Sequence, residues 1–149
     1  MIDPAFIGLE SEPRIVDVEA GQLRFFAKAT GETSPIYFDE QAARDAGHTA
    51  LPAPPTFVFS LALAAPAQRG NLFGDMGIDV TKVVHGEQGF TYHRPIHAGD
   101  RITLLARIAD IYAKKGGALE FVVQETRAIN QHGELCCEMR TVTVVRNAA

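Results

Sequence analysis

The side chains in this 149-residue sequence with the best claim to proton chemistry are a carboxylate and a phenol in one loop, Glu32 and Tyr37, and two histidines, His48 and His85. An imidazole titrates near ~6.5 and can serve as acid or base at neutral pH. A carboxylate can take a proton, whereas a phenol, with its pKa near ~10, donates hydrogen bonds well but is a poor base. Taken by themselves these residues have ordinary explanations. Glu32 follows the C-terminus of a predicted helix, where the dipole gives a carboxylate no support, so it reads as an exposed loop acid. Tyr37 reads as a loop residue that packs its ring and keeps its hydroxyl wet. His48, in Gly47-His48-Thr49, has the setting of a surface histidine. Two roles stay open for His85, which precedes Gly86, Glu87 and Gln88: it faces a site, or with Gln88 it satisfies backbone groups at a strand start. His93, His97 and His132 fall at strand ends or turns and have no chemical case.

Other chemistries lack their patterns. There is no Gly-rich phosphate loop, no Gly-x-Ser-x-Gly elbow and no Cys/His spacing suited to zinc, so neither a metal nor a redox cofactor is expected. The two cysteines, Cys136 and Cys137, are adjacent. Neighbours in a strand face opposite ways, so they read as reduced thiols rather than a disulfide. A formal charge of −4 argues against nucleic acid or an anionic membrane as the main partner. Hydrophobic residues at 46% and charged residues at 21% suit an ordinary globular domain. No signal-peptide pattern opens the sequence, and the most apolar stretch, residues 57–67, is too short to span a bilayer. A cytoplasmic protein is the expectation.

These residues need elements to position them, and the sequence predicts one α+β domain over residues 1–149, helical and loop-rich first, strand-rich after. Residues 18–30 predict a helix with Asp17 as N-cap, Gly31 past its end, and a buried stripe of Val18, Gln22, Phe25, Phe26 and Ala29. A short helix is expected at 39–46. Pro52, Pro54 and Pro55 then lead into a second helix at 56–68, apolar almost all round and so to be buried on most sides, with Pro55 suited to its first turn and Pro66 marking or kinking its last. From Val83 onward the period changes to two, and strands are predicted at 87–94, 101–112, 119–130 and 135–146. Glycine-bearing connections at 97–100, 114–117 and 131–134 suit tight antiparallel turns. Long antiparallel strands with one apolar helix predict a curved sheet wrapped around that helix, the hotdog arrangement.

Local motifs then show a family likeness. The run Gly31-Glu32-Thr33-Ser34-Pro35-Ile36-Tyr37-Phe38-Asp39 resembles the overhanging loop of the MaoC-like (R)-specific enoyl-CoA hydratases, whose pattern is Gly, Asp, any residue, Asn, Pro, Ile or Leu, His, any residue, Asp. The flanking Phe26-Ala27-Lys28-Ala29-Thr30 and Ala42-Ala43 match as well. His85-Gly86-Glu87-Gln88 and Arg94-Pro95-Ile96-His97-Ala98-Gly99-Asp100 resemble the MaoC N-terminal-domain branch. The resemblance runs over residues 18–145. It implies a hotdog dimer, with sheets paired edge to edge and thioester sites at the interface. It also implies a loop Asp and His that add water reversibly across a trans-2-enoyl thioester, giving a 3-hydroxyacyl thioester, while backbone N–H groups at the start of the central helix hold the thioester carbonyl. Here those groups would come from Pro55, Thr56 and Phe57, and Gln88 joins them as a substrate-binding candidate. No cofactor is implied, because water addition needs none.

One departure matters. The family's catalytic Asp falls on Glu32, its Asn on Ser34 and its catalytic His on Tyr37. Glu keeps a carboxylate on a longer arm, and an error of about an ångström in position can cost on the order of a hundredfold in rate. Tyr loses the base. Three roles follow. The chain is the degenerate half of a heterodimer with an Asp/His-bearing MaoC-like subunit, or it acts alone with Glu32 as base and His48 or His85 as acid, or it binds an acyl thioester without transforming it. A hotdog thioesterase is a further alternative. The substrate is an acyl-CoA or acyl-carrier-protein thioester in the first two cases. Lys114-Lys115-Gly116-Gly117 reads as a solvated hairpin tip, with coenzyme A phosphate contact a weaker option there and at Arg94 and Arg101.

Overall fold

The computed structural model describes residues 1–65 and 72–147. In chain order the strands and α-helices are β1 (Arg14–Asp17), α1 (Ala20–Ala29), α2 (Glu40–Asp45), α3 (Phe57–Ala64), α4 (Leu72–Asp75), β2 (Val83–Tyr92), β3 (Arg101–Lys114), β4 (Leu119–Ile129) and β5 (Leu135–Arg146). The strands form one antiparallel five-stranded sheet in the order β1-β3-β4-β5-β2. The hotdog fold expected from the sequence is the fold observed.

Alternation builds the core. Ile102, Leu104, Ala106 and Ile108 of β3 are all buried, with polar or half-buried residues between them. One apolar cluster joins Ile102, Leu104, Ala128, Cys137 and Met139 of the sheet to Phe57, Val58 and Leu61 of α3. A second, around Ala106, Ile108, Val122 and Val145, is covered by Leu72, Met76 and Ile78. Removing apolar area from water, worth ~25 cal/mol per Å², is what holds α3 against the sheet.

Several local expectations are corrected. Strand β1 was not predicted: its four residues include an exposed Ile15, and it is held by pairing to β3, by Val16 against the core and by the Arg14 bond to the Ala62 carbonyl. Asp17 therefore belongs to a strand and bonds Arg101 at 2.9 Å, and the N-cap of α1 is Glu19. The buried side of α1 is Leu23 and Ala27 with Phe26 half-buried, while Phe25 is 76% exposed. Pro55 lies in the turn before α3, whose N-cap is Thr56. Helix α3 is not buried on most sides, since Leu63 is 72% exposed and Ala64 is exposed too. Its expected extension to residue 68, with Pro66, runs into residues outside those described. The 97–100 connection is no hairpin, because β2 and β3 lie apart in the sheet. Cys136 is the extra residue of a bulge opposite Ala128 and Ile129, so both thiols are buried in one cluster instead of on opposite faces, and both are free.

Candidate functional site

The loop after α1 is fixed from both ends. Gly31 takes φ +78°, a left-handed conformation that turns the chain out of the helix, and Glu32 N–H returns to the Ala27 carbonyl at 2.9 Å. Pro35–Tyr37 form a short 3-10 turn. Asp39 then caps α2 by accepting from Ala42 N–H at 2.7 Å, and the Arg24 guanidinium donates to the Phe38 carbonyl at 3.0 Å. Further on, Ala53 N–H bonds the Ile96 carbonyl at 2.7 Å and Ala98 N–H the Leu51 carbonyl at 2.8 Å. The proline segment is thereby tied to the stretch after β2, ahead of α3.

Between these segments opens a cleft of about 360 Å³, lined among others by Tyr37, His48, Pro55, Thr56 and Tyr92. Glu32 is near enough to act on Tyr37 through its charge. Burial first, and then the Glu32 carboxylate, push the Tyr37 phenol above its ordinary value, so it is neutral across the physiological range. Phe57 is buried behind the cleft, edge-on to Phe26 with ring centroids 5.3 Å apart.

Two residues that sequence reasoning passed over meet the nominated ones here. The His48 Nδ1 lies 3.1 Å from the Nε2 of His97, which had no chemical case in the sequence. His97 is held by its own N–H to the Asp100 carboxylate at 2.8 Å, and burial lowers its imidazole pKa against the opposing pull of Asp100. The second is Tyr92, whose hydroxyl accepts from Thr56 N–H at 2.9 Å. No local signal marks it, because the contact joins residues 36 apart in sequence. Thr56 itself adopts φ +71°, an uncommon conformation for a β-branched residue.

The N–H groups expected to hold a thioester carbonyl are thus engaged. Pro55 has none, Thr56 donates to Tyr92, and Phe57 donates to the Pro54 carbonyl at 3.1 Å.

His85 and Gln88 stand elsewhere. Strand β2 bulges between His85 and Glu87, and Gly86 is needed there: a Cβ on it would meet the Val144 side chain at 2.9 Å and the Val142 carbonyl at 3.0 Å. The His85 ring packs on Phe59 with centroids 5.2 Å apart, and its Nε2 lies 3.1 Å from the Glu87 carbonyl. It lines a different cavity from Tyr37 and His48. Gln88 accepts from the Thr141 hydroxyl at 2.8 Å. Lys114 sits over the stacked rings of Tyr112 and Phe121. No grouping of metal-ligating side chains occurs among the described residues. No helix among them is long and apolar enough to cross a membrane.

The model of the FAS1-like dehydratase domain region matches residues 5–139. The chain belongs to that dehydratase family. A relative, the UPF0336 protein of Streptomyces griseus, is 37% identical over 150 residues, covering 99% of this chain and 97% of its own. Among solved structures, the HadBC (3R-hydroxyacyl-ACP dehydratase) complex from Mycobacterium tuberculosis superposes with a TM-score of 0.81 at 31% identity, covering 93% of this chain and 96% of that one. A MaoC-like dehydratase superposes with a TM-score of 0.84 at 25% identity, covering 97% of this chain and 43% of that one. The MaoC-like resemblance seen in the loop motif therefore extends to the whole fold, and a hydratase/dehydratase family is the frame for the site.

Proposed function

We propose that this chain is the substrate-shaping subunit of a two-chain acyl-thioester dehydratase. It would pair with an Asp/His-bearing hotdog subunit and contribute channel walls for a 3-hydroxyacyl or trans-2-enoyl thioester. The partner would carry the reversible chemistry, in which the oxygen of water bonds to C3 and a proton is added at C2. The observation that carries this role is the state of the cleft's N–H groups. Thr56 is engaged by Tyr92 and Phe57 by Pro54, so neither is left to stabilise a developing enolate. Tyr37 supports it too, since a phenol pushed upward cannot take a proton from water near pH 7.

Two further observations favour a partner. Strand β2 is a ten-residue sheet edge, with Val84 and Tyr92 exposed on it. A free edge of that length is a template for another strand. The similar HadBC structure is a complex, and its name as a 3R-hydroxyacyl-ACP dehydratase favours a carrier-protein thioester alongside acyl-CoA.

The test is to purify this chain with an Asp/His-bearing hotdog partner and follow hydration of a trans-2-enoyl thioester. Turnover by the pair should survive Tyr37→Phe and Glu32→Gln in this chain within about threefold. A loss of a hundredfold or more in either variant would assign the chemistry to this chain's own loop instead.

A further inference from the structure

Beneath the C-terminal half of α3 lies a second cavity of about 480 Å³, roofed by Phe59, Ala62 and Ala65 and floored by β4 and β5. Its floor is polar where the fold would accept apolar residues. Along the inward face of β5, Cys137 and Met139 give way to Thr141 and Thr143 before Val145 restores the apolar pattern. On β4, Thr126 and Gln124 separate Ala128 from Val122 in the same way, and Gln124 stands opposite Thr141 in register. The two apolar clusters of the core are thus split by a band of hydroxyls and amides. No side-chain nitrogen or oxygen among the described residues is buried without a partner, so the unpaired groups of the band face the open cavity. An acyl chain that fills it must hydrogen-bond to them or leave them unpaired at a cost.

The band has unused capacity. Gln124 donates to the Thr126 hydroxyl at 3.1 Å, and Thr141 donates to Gln88 at 2.8 Å. The carbonyl oxygen of Gln124 accepts no side-chain bond, and Thr143, only 5% exposed overall, makes none, among the described residues. Arg14, which also lines the cavity, donates to the Ala62 carbonyl at 3.1 Å. At the band itself the described residues offer neutral donors and acceptors, Gln124, Thr126, Thr141 and Thr143, which suit a hydroxyl or ketone, while Glu12 and Arg14 bring charge elsewhere on the lining. The lining includes Val83 and His85 of edge strand β2, on the side where a partner's sheet would add.

We propose that this cavity is a specificity chamber for an oxygenated acyl chain, holding a hydroxyl or keto group carried beyond the reacting carbons against Gln124, Thr141 and Thr143. The substrate class so named rests on the subunit role proposed above, because the chain would enter from the partner's site. A plain hydrocarbon chain leaves the band unpaired, so the chamber discriminates by one to two hydrogen bonds. This is about tenfold in affinity or more.

The experiment compares long-chain trans-2-enoyl-CoA thioesters, unsubstituted or with a keto group walked along the chain. Binding to the purified chain is measured by calorimetry and turnover with the partner complex. At one keto position the wild type should favour the keto probe about tenfold. Gln124→Leu and Thr143→Val, made separately so that one folding failure is not decisive, should cut that ratio to about twofold or less. Equal binding at every keto position, or a preference that survives both substitutions, overturns the chamber. Turnover of the unsubstituted thioester by the complex reads the subunit role by itself. Turnover without preference removes only the chamber, and a keto preference in binding without turnover removes the subunit role while upholding the chamber's chemistry.

Discussion

Replacing Thr56 separates backbone strain from side-chain function at the start of the central helix. Its φ of 71° and ψ of −12° place a β-branched residue in the left-handed region. That conformation costs roughly 1–2 kcal/mol for a non-glycine residue. The side chain is exposed and makes no capping hydrogen bond, so little is lost by removing it. The bond to Tyr92 is donated by the main-chain N–H and survives any substitution except proline. Glycine removes the strain but loses about 0.4–1 kcal/mol through the greater freedom of the unfolded chain. Thr56→Gly should therefore stabilise the protein by about 0.5–1 kcal/mol, a rise of about 1–4 °C in Tm for a domain of this size. Thr56→Ala keeps a Cβ at positive φ and should stay within about 0.5 kcal/mol of the parent. Calorimetric and urea unfolding of the three proteins measure this directly. A Thr56→Gly protein no more stable than Thr56→Ala would refute the strain, and a Thr56→Ala protein clearly less stable than the parent would mean that the threonine side chain makes a contact worth keeping.

Three other outcomes follow from named contacts. Glu120 is only 4% exposed; it accepts from Ile2 N–H and from the Asn147 amide, both at 2.6 Å, clasping the two ends of the chain. Glu120→Ala should cost about 2–4 kcal/mol in urea unfolding, and Glu120→Gln less, because one acceptor remains. Burial pushes the Cys137 thiol up to about 11, so the native protein at pH 7.5 should resist iodoacetamide at this site for hours and react within minutes once unfolded. The pH dependence centres on His97, where burial holds the folded imidazole below its ordinary 6.5, opposed by Asp100 and reinforced by His48. The unfolded chain then binds more protons as pH falls, so this contribution is intact above about pH 6.5 and is lost as pH drops through the folded value. Urea midpoints should decline from pH 7 to pH 5, and His97→Gln should flatten the decline.

Strand β3 was readable because it buries one face, which writes a period of two into Ile102, Leu104, Ala106 and Ile108. Strand β1 was not, since a four-residue edge strand with an exposed Ile15 carries too few buried positions to show a period. Helix α1 misled for a related reason: Phe25 is large and apolar yet exposed, while small Ala27 takes the buried place. Glu32 and Tyr37 are near enough to interact because they share one short loop. Tyr92 and His97 were invisible as site neighbours, since their partners Thr56 and His48 lie 36 and 49 residues away. The His85 ring packs on Phe59 of α3 yet lines a cavity separate from that of Tyr37 and His48, a split set by the sheet order and not by local sequence. Pairing between distant segments decides such placements, and single-chain patterns do not encode it.

The most direct measurement is the rate at which the purified chain alone hydrates a trans-2-enoyl thioester, before and after an Asp/His-bearing hotdog subunit is added. A substrate-shaping subunit, with Thr56 N–H held by Tyr92 and Tyr37 protonated, predicts no turnover alone and turnover on addition, beyond what the partner achieves by itself. Clear turnover by the lone chain, lost in Glu32→Gln or His48→Ala, would contradict the account and make this chain a self-sufficient enzyme.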